Sequence, residues 1–244
     1  MSSHNTLSNR LADVNCVLWD LDGTLTDSIA DICTSMNVVL EQSGLNVVTV
    51  EEARLMVGLG AGKLLERAFR HVGGEAAYDA DTAYASFIAH YRDHCCINTR
   101  LYPGVETVVS KLNQYGYRQA VCTNKPVQMA NTIVTELGLA DYFGSVVGGD
   151  STEHRKPHAE PILACVSQLQ STPDKAIMIG DSPADAGCAI AAGVPVVLVD
   201  WGYSADALDA LGADLVISNI DELLTLLPAP VSYTHLTLPT NREV

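Results

Sequence analysis

The sequence predicts an α/β fold, in which a parallel sheet packed between helices is interrupted by an all-helical insertion. Short apolar runs recur along the chain, and helical patterns separate most of them, which indicates right-handed βαβ units and a Rossmann-like core. Apolar runs without alternation are typical of strands that are buried on both faces of a parallel sheet. The predicted strands are 14–19, 117–122, 176–179, 194–199 and 214–217.

The predicted helices of the core begin and end at residues that suit helix termini. Pro161 and Pro183 stand in first turns, where the N–H that proline lacks would have no partner within the helix. Gly116 and Gly193 follow last turns, where the chain often needs a left-handed residue. These helices are 105–115, 127–137, 160–169, 183–192, 205–211 and 221–227.

One region breaks the alternation of strands and helices. No segment between residues 29 and 97 predicts a strand, and glycines at 44, 58, 60, 62, 73 and 74 mark turns. Apolar residues have helical spacing over 29–42, 50–57, 62–71 and 76–95. We therefore predict an α/β core formed by residues 1–28 and 99–229, with residues 29–98 as a helical cap domain.

The last segment, 230–244, differs from the rest of the chain. It has no helical period and follows a helix that should already end at Pro228. A disordered tail and a non-native tail are the two interpretations. Since the segment resembles translated sequencing-adapter DNA, we favour the second and assign it no function.

Composition excludes several classes of protein. The 244 residues include 14 Lys and Arg against 29 Asp and Glu, a net charge of −15, and 48% of them are hydrophobic. A surface with this much negative charge repels a phosphate backbone. We therefore expect no nucleic-acid partner. The apolar content excludes a disordered acidic chain.

Several features favour a cytoplasmic protein without a membrane anchor. No apolar run approaches the roughly 18 residues that span a bilayer, and residues 1–10 lack the apolar stretch of a secretion signal. The seven cysteines include no C-x-x-C pair. We expect reduced thiols in the cytoplasm.

Two carboxylates follow the first predicted strand, in the motif Asp20-Leu-Asp22-Gly. Ligands of open parallel sheets bind outside the carboxyl ends of the strands. Two buried like charges are unfavourable unless a cation neutralises them, and hard oxygen ligands suit Mg²⁺. The alternative is a helix-capping Asp beside a turn Asp.

Three further motifs stand at or near strand ends. Thr123 and Asn124 follow the second predicted strand, Lys156 precedes a proline in a loop, and Asp181 and Asp185 follow the third strand in the pattern G-D-S-x-x-D. Each has a plain interpretation as turn chemistry, a solvated lysine or a helix N-cap. A fixed cation such as Lys156 is, however, what a phosphoryl group and an anionic nucleophile both require.

In this order, the four motifs resemble those of the haloacid dehalogenase-like superfamily of phosphotransferases, over residues 14–227. The resemblance implies that Asp20 is a nucleophile that forms an aspartyl-phosphate. It implies that Asp22 is first the general acid and then the general base. Thr123 and Asn124 would bind the transferring phosphoryl group, and Lys156 would hold it against Asp20.

The resemblance also implies a cofactor and a role for the insertion. Mg²⁺ would be bound by Asp20, by the backbone carbonyl of Asp22 and by Asp181, with Asp185 supporting the site without touching the ion. The insertion would be a C1-type cap, which excludes water and selects the leaving group.

Within the superfamily, the chain is similar to the bacterial phosphoglycolate phosphatases. The matching stretches are 57–62, 65–68, 102–105, 123–126, 142–143, 148–150, 156–158 and 201–203. The similarity implies a Mg²⁺-dependent phosphatase of a small phosphorylated metabolite, first of all 2-phosphoglycolate, acting as a monomer or homodimer. A sugar-phosphate phosphatase and a β-phosphoglucomutase-like phosphotransferase are the alternatives. A non-catalytic binding module is disfavoured, because the four motif carboxylates and the motif lysine are all present.

Two candidates lie in the insertion. The guanidinium of Arg67 suits a substrate carboxylate, although a solvated helix residue is the simpler interpretation. His90 and His94 share a helix face before Cys95 and Cys96, a pattern that would suit a soft metal. We favour ordinary helix residues there.

Overall fold

Six parallel strands form the central sheet of the computed structural model, which describes residues 7, 10–204 and 207–229. The strands are β1 (Cys16–Trp19), β4 (Arg118–Cys122), β5 (Ser145–Val147), β6 (Ala176–Gly180), β7 (Val196–Val199) and β8 (Leu215–Ile217). Their order in the sheet is β5-β4-β1-β6-β7-β8. The predicted parallel α/β core is therefore confirmed, whereas the predicted tail at 230–244 lies outside the described residues.

Helices cover both faces of the sheet and fill the insertion. Those of the insertion are α1 (Ile29–Gln42), α2 (Val50–Arg54), α3 (Ala61–His71) and α4 (Ala80–His94). Those of the core are α5 (Val105–Gln114), α6 (Val127–Glu136), α7 (Glu160–Gln168), α8 (Pro183–Ala192) and α9 (Glu222–Leu226). The predicted helical insertion after β1 is confirmed, and α1 packs against α4 within it.

Strand β1 shows why the central strands read as continuous apolar runs. Side chains alternate between the faces of a strand. Val17 and Trp19 accordingly enter one hydrophobic cluster, while Cys16 and Leu18 enter the other. All four are fully buried, so both faces of β1 lie in the core.

A small antiparallel pair closes the base of the insertion. Strand β2 (Thr26–Asp27) pairs with β3 (Arg100–Leu101), so the two chain segments that enter and leave the insertion are joined. Asp31, buried at the start of α1, accepts hydrogen bonds from the backbone N–H groups of Asn98 and Thr99, at 2.9 to 3.0 Å. The division of the chain at residues 28 and 99 stays a prediction, which this pairing supports.

The structure differs from the predicted secondary structure at several elements. Strand β5 was not predicted, because it is a three-residue edge strand with too few apolar residues to form a clear run. Predicted helix 50–57 ends at Arg54. Predicted helix 76–95 is a 3₁₀ turn, Glu75–Ala77, and then α4, which begins where the Asp79 side chain accepts the Thr82 N–H at 2.9 Å. Of predicted helix 205–211, residues 205–206 lie outside the described part, and Leu208–Leu211 form a 3₁₀ turn.

Among the residues that the structure describes, no helix combines the length and the apolar composition that crossing a bilayer requires.

Candidate active site

Three neighbouring strands bring the predicted motifs to one edge of the sheet. Asp20, Thr123 and Asp181 each follow directly on β1, β4 and β6, which lie side by side in the sheet. Because the carboxyl ends of parallel strands meet at one edge, residues far apart in sequence converge there. Lys156 joins them from the loop between β5 and α7.

Lys156 bridges two carboxylates. Its Nζ lies 2.9 Å from Asp20 Oδ1 and 2.6 Å from Asp185 Oδ1, and it donates to the Cys122 carbonyl at 2.7 Å. The lysine side chain is 1% exposed. Burial alone would favour the neutral amine, but the charges of Asp185 and Asp20 outweigh it and raise the pKa of Lys156. The lysine is therefore a permanent cation beside Asp20.

Asp20 itself is buried among like charges. Burial, and next the nearby Asp185, raise the pKa of Asp20 to about 7, although Lys156 opposes this. Its Oδ1 accepts from the Leu21 N–H at 2.8 Å and contacts Lys156. Both contacts go to Oδ1, and in the described part of the chain no donor is hydrogen-bonded to Oδ2. Oδ2 is thus the oxygen that a reacting group could approach.

Asp181 is held in place by backbone that approaches it closely. It accepts from the Tyr203 N–H at 2.7 Å and from Thr24 Oγ1 at 3.3 Å. A Cβ added to Gly202 would lie 2.2 Å from Asp181 Cβ, and one added to Gly23 would lie 2.4 Å from Asp181 Oδ2. Only glycine fits at either place. Burial and the charges of Asp185 and Asp20 raise the pKa of Asp181.

The carboxylates at this edge fit a hard divalent cation. Asp20, Asp181 and Asp185 are buried, and each offers an oxygen within 4.8 Å of the others. One lysine faces three carboxylates, and the raised pKa values of Asp20 and Asp181 reflect this shortage of positive charge. An all-oxygen donor set that lacks counter-charge is what Mg²⁺ binds.

Asp185 already has hydrogen-bond partners on both oxygens. Oδ1 contacts Lys156, and Oδ2 accepts from Ser182 Oγ at 2.6 Å and from the backbone N–H groups of Asp181 and Ser182. These bonds fit the predicted supporting role of Asp185. Among the described residues, Asp181 accepts only one hydrogen bond on each oxygen and Asp20 is contacted on Oδ1 alone, so these two side chains have more capacity to hold the ion. The Asp22 carbonyl stays a predicted ligand.

The Asp22 side chain meets a second buried lysine that the sequence interpretation did not select. Lys125 Nζ lies 2.6 and 2.7 Å from the two carboxylate oxygens of Asp22, and Ser28 Oγ donates to Oδ1 at 2.5 Å. The Lys125 side chain is 2% exposed and lies 4.9 Å from the centre of the Tyr91 ring. Its position directly after Thr123 and Asn124, at a strand end, was the signal that could have identified it.

Thr123 and Asn124 shape the loop that carries Lys125. The Asn124 amide donates to the carbonyls of Gly58 and Lys156, at 3.1 and 3.0 Å, and accepts from the Lys156 N–H at 3.0 Å. Thr123 Oγ1 accepts from the Lys125 N–H at 3.2 Å. Asn124 therefore ties both the segment that carries Lys156 and the insertion to the end of β4. Contact of either side chain with a phosphoryl group stays a prediction.

A cavity lies between the sheet edge and the insertion. Its polar floor contains Asp20, Asp22 and Lys125. The side chains from the insertion that line it are apolar or aromatic: Ile32, Val57, Leu64, Phe87 and Tyr91. The insertion thus covers the carboxylates and leaves room for a small ligand.

Arg67 lies apart from this cavity. Its Nη1 donates to the Met56 carbonyl at 3.1 Å, and it lines a neighbouring cavity that also reaches Asp22 and Asp181. Substrate binding by Arg67 stays a prediction.

Known proteins resemble this chain in both sequence and fold. The family model of haloacid dehalogenase-like hydrolases matches residues 17–199. The phosphoglycolate phosphatase of Rhodospirillum rubrum is 40% identical over 212 residues, which cover 85% of this chain and 88% of that protein. That of Caulobacter vibrioides is 38% identical over 232 residues, covering 90% and 97%.

A solved structure has a similar fold. The crystal structure of a predicted phosphoglycolate phosphatase from Haemophilus somnus has a TM-score of 0.82 and 28% identity, covering 88% of this chain and 98% of that one. The family's phosphatases use a divalent metal, which fits the buried carboxylates of Asp20, Asp181 and Asp185. The chain belongs to the haloacid dehalogenase-like hydrolases and is a phosphoric monoester hydrolase of the phosphoglycolate phosphatase type.

Proposed function

We propose that this protein is a Mg²⁺-dependent phosphatase that hydrolyses 2-phosphoglycolate through a phosphoryl group carried on Asp20. The observation that carries the proposal is that two aspartates, Asp20 and Asp22, line one small cavity and that each contacts its own buried lysine. Lys156 contacts Asp20, and Lys125 contacts Asp22. A substrate with a phosphate at one end and a carboxylate at the other matches two cations.

In the first step, Asp20 Oδ2 forms a bond to phosphorus while the bond from phosphorus to the glycolate oxygen breaks. Asp22 gives its proton to that departing oxygen. Lys156 lies beside Asp20 and offers a cation to the phosphoryl oxygens, so an anionic nucleophile can approach an anionic phosphate. Mg²⁺, when bound at Asp20 and Asp181, would supply further positive charge to the phosphoryl oxygens.

In the second step, Asp22 takes a proton from a water molecule as the water oxygen bonds to phosphorus. The bond from phosphorus to Asp20 breaks, and free phosphate and the original carboxylate result. The apolar side chains of the insertion exclude other water from the cavity during the first step.

Lys125 makes the choice of substrate specific. While it holds both oxygens of Asp22, that carboxylate is fixed in an ion pair and is a poor proton donor. A substrate carboxylate that binds Lys125 competes for the ammonium, so Asp22 can take up a proton from solvent and then donate it to the departing oxygen. Esters without a second anion cannot do this, so the same contact selects the substrate and readies the acid.

The proposal also covers the location, the partner and the assembly of the enzyme. All seven cysteines are free thiols, which supports the proposed cytoplasmic location. The proposed partner is a small phosphorylated metabolite, and a monomer or homodimer is proposed for the assembly.

A panel of phosphate esters tests the proposal. Phosphate release is measured from 2-phosphoglycolate, ethyl phosphate, glucose 6-phosphate and β-glucose 1-phosphate, with Mg²⁺ and with EDTA. We expect Mg²⁺-dependent release, with kcat/KM for 2-phosphoglycolate at least about tenfold above that for ethyl phosphate, since a charge-assisted hydrogen bond contributes about 1.5–3 kcal/mol.

Each alternative result of the ester panel would contradict one part of the proposed function. Equal kcat/KM for 2-phosphoglycolate and ethyl phosphate would overturn the substrate but not the phosphatase. Conversion of glucose 1-phosphate to glucose 6-phosphate without phosphate release would replace the phosphatase with a mutase. No release from any ester would overturn hydrolysis of this class of substrate.

A further inference from the structure

A second cluster of metal-ligand side chains lies on the surface, in the loop that carries Lys156. His154, His158 and Glu160 each offer a ligand atom within 4.8 Å of the others. The two imidazole rings are stacked, with centroids 4.4 Å apart. In the described ranges it is the sole such group apart from the buried carboxylates.

Glu160 and His158 each present a lone pair to a backbone N–H group, as a metal ligand presents one to an ion. A hydrogen bond from the His154 backbone N–H, at 2.9 Å, lowers the pKa of Glu160, so this carboxylate is ionised at neutral pH. The Glu160 N–H donates to Nδ1 of His158 at 3.2 Å, so that nitrogen carries a lone pair. A metal ion could accept this lone pair in place of the N–H.

The spacing of the donors also fits one ion. His154 Nδ1 and Glu160 Oε2 are 3.1 Å apart. Two ligands about 2.0–2.1 Å from a tetrahedral zinc ion are separated by roughly 3.3 Å. The two side chains could therefore turn from their mutual hydrogen bond to a shared ion with little movement, and the proton of that bond would pass from His154 to water.

A matched pair elsewhere shows what this cluster adds. His90 and His94 are also four residues apart and stacked, with centroids 4.0 Å apart. In their case, no third His, Cys or carboxylate ligand atom of the described residues lies within 4.8 Å of both. Only the pair at 154 and 158 has a carboxylate to complete a three-ligand set.

We propose that His154, His158 and Glu160 bind a divalent transition-metal ion of the zinc class, in a site separate from the active-site carboxylates. Two imidazoles and one carboxylate favour Zn²⁺, Co²⁺ or Ni²⁺ over Mg²⁺, which prefers oxygen donors alone. Three protein ligands leave a position for water, as in open zinc sites.

The site has a direct structural link to the catalytic lysine. His154 and His158 stand two residues before and after Lys156, and Glu160 begins α7. An ion bound to all three would cross-link both ends of this segment to the helix. It would thus stiffen the segment that holds Lys156 against Asp20.

A calorimetric titration of the full chain with Zn²⁺, in the presence of millimolar Mg²⁺, tests the proposal. Magnesium occupies the carboxylate site, so the titration reports the transition-metal site. The double variant H154Q/H158Q is compared with the matched control H90Q/H94Q and with D181N, which alters the carboxylate site. Circular dichroism confirms that each variant is folded.

We expect the wild type, H90Q/H94Q and D181N to bind one equivalent of Zn²⁺ with similar affinity. H154Q/H158Q should bind it at least about tenfold more weakly, because loss of even an outer partner of a metal ligand has that effect. Its phosphatase activity with Mg²⁺ alone should stay within about twofold of wild type. Unchanged affinity in H154Q/H158Q, or loss of the same equivalent in either other variant, would overturn the proposal.

Discussion

Lys125 donates to both carboxylate oxygens of Asp22, at 2.6 and 2.7 Å, although the two residues are 103 positions apart in the chain. The lysine side chain is almost inaccessible, whereas the Asp22 side chain is 13% exposed and faces the cavity. The ion pair thus lies where a ligand can reach it, and in the proposed mechanism a substrate carboxylate exchanges with Asp22 for the ammonium.

Replacing Lys125 should therefore change substrate preference more than the chemistry of a simple ester. In Lys125→Met, kcat/KM for 2-phosphoglycolate should fall about 10- to 100-fold, since a hydrogen bond to a charged group contributes about 1.5–3 kcal/mol. The value for ethyl phosphate should be unchanged or higher, because Asp22 is then no longer held in the ion pair with Lys125. Steady-state kinetics with both esters give the comparison.

Two variants serve as controls for the lysine. Lys63→Met removes an exposed lysine that pairs with Glu66 on the surface, and it should leave both substrates unchanged. Arg67→Met tests the other candidate cation. A selective loss of 2-phosphoglycolate activity in Arg67→Met, with Lys125→Met unselective, would transfer the carboxylate site to Arg67.

Gly202 should be required for metal binding. A Cβ at Gly202 would overlap Asp181, so Gly202→Ala should displace that carboxylate and raise the Mg²⁺ concentration needed for half-maximal activity about tenfold or more. Gly62→Ala is the matched control, because a Cβ there meets no atom within 4 Å. Equal Mg²⁺ dependence in the two variants would show that Asp181 does not hold the ion.

The pH dependence of stability should reveal the buried Asp20. Its pKa of about 7 in the folded protein exceeds the usual 3.8, so folded Asp20 keeps a proton that the unfolded chain releases between these values. Unfolding then releases a proton, and stability falls as the pH rises through this range.

Urea unfolding in EDTA measures the effect against Asp20→Asn, which has no such proton. From pH 5 to 7, the free energy of unfolding of the wild type should fall by about 2–3 kcal/mol relative to the variant, at 1.36 kcal/mol per pKa unit. Saturating Mg²⁺ should reduce this difference, because the ion favours the ionised carboxylate. Parallel curves in EDTA would contradict the proposed environment of Asp20.

Asp31 should stabilise the base of the insertion with the opposite pH dependence. Burial alone would raise its pKa, but the hydrogen bonds from Thr99 and Asn98 outweigh it and lower the pKa below 3.8. This stability is present above the unfolded pKa and is lost as the pH falls through the folded value. Asp31→Asn should therefore destabilise the protein at pH 7 by about 1–3 kcal/mol.

Denaturant unfolding at pH 7 and pH 3 checks this prediction. The difference between wild type and Asp31→Asn should shrink at the lower pH. The surface variant Asp93→Asn, whose side chain is 72% exposed, should differ from wild type by less than about 0.5 kcal/mol. A full effect of Asp31→Asn that persists at pH 3 would assign the stabilisation to packing and not to the charge.

The sequence predicted the parts of the site that follow from strand geometry. Asp20, Thr123 and Asp181 come directly after adjacent parallel strands, so a strand assignment suffices to bring them together. The short edge strand Ser145–Val147 was missed, because three residues carry too little pattern.

Contacts between distant loops could not be predicted in this way. The bond from Asp31 to Thr99 spans 68 positions and depends on how the two ends of the insertion meet. Likewise, a lysine at a turn reads as solvated until the insertion covers it, as Tyr91 covers Lys125. Both need the packing of the insertion on the sheet, which no local pattern specifies.

Rapid-quench trapping tests the role of Asp20 most directly. The enzyme is mixed with ³²P-labelled 2-phosphoglycolate and Mg²⁺, quenched in acid within milliseconds, digested and mapped by mass spectrometry. We expect the label on the peptide that contains Asp20, with loss of both label and turnover in Asp20→Asn. Label on another residue, or undiminished turnover in Asp20→Asn, would contradict the assignment of Asp20 as the nucleophile.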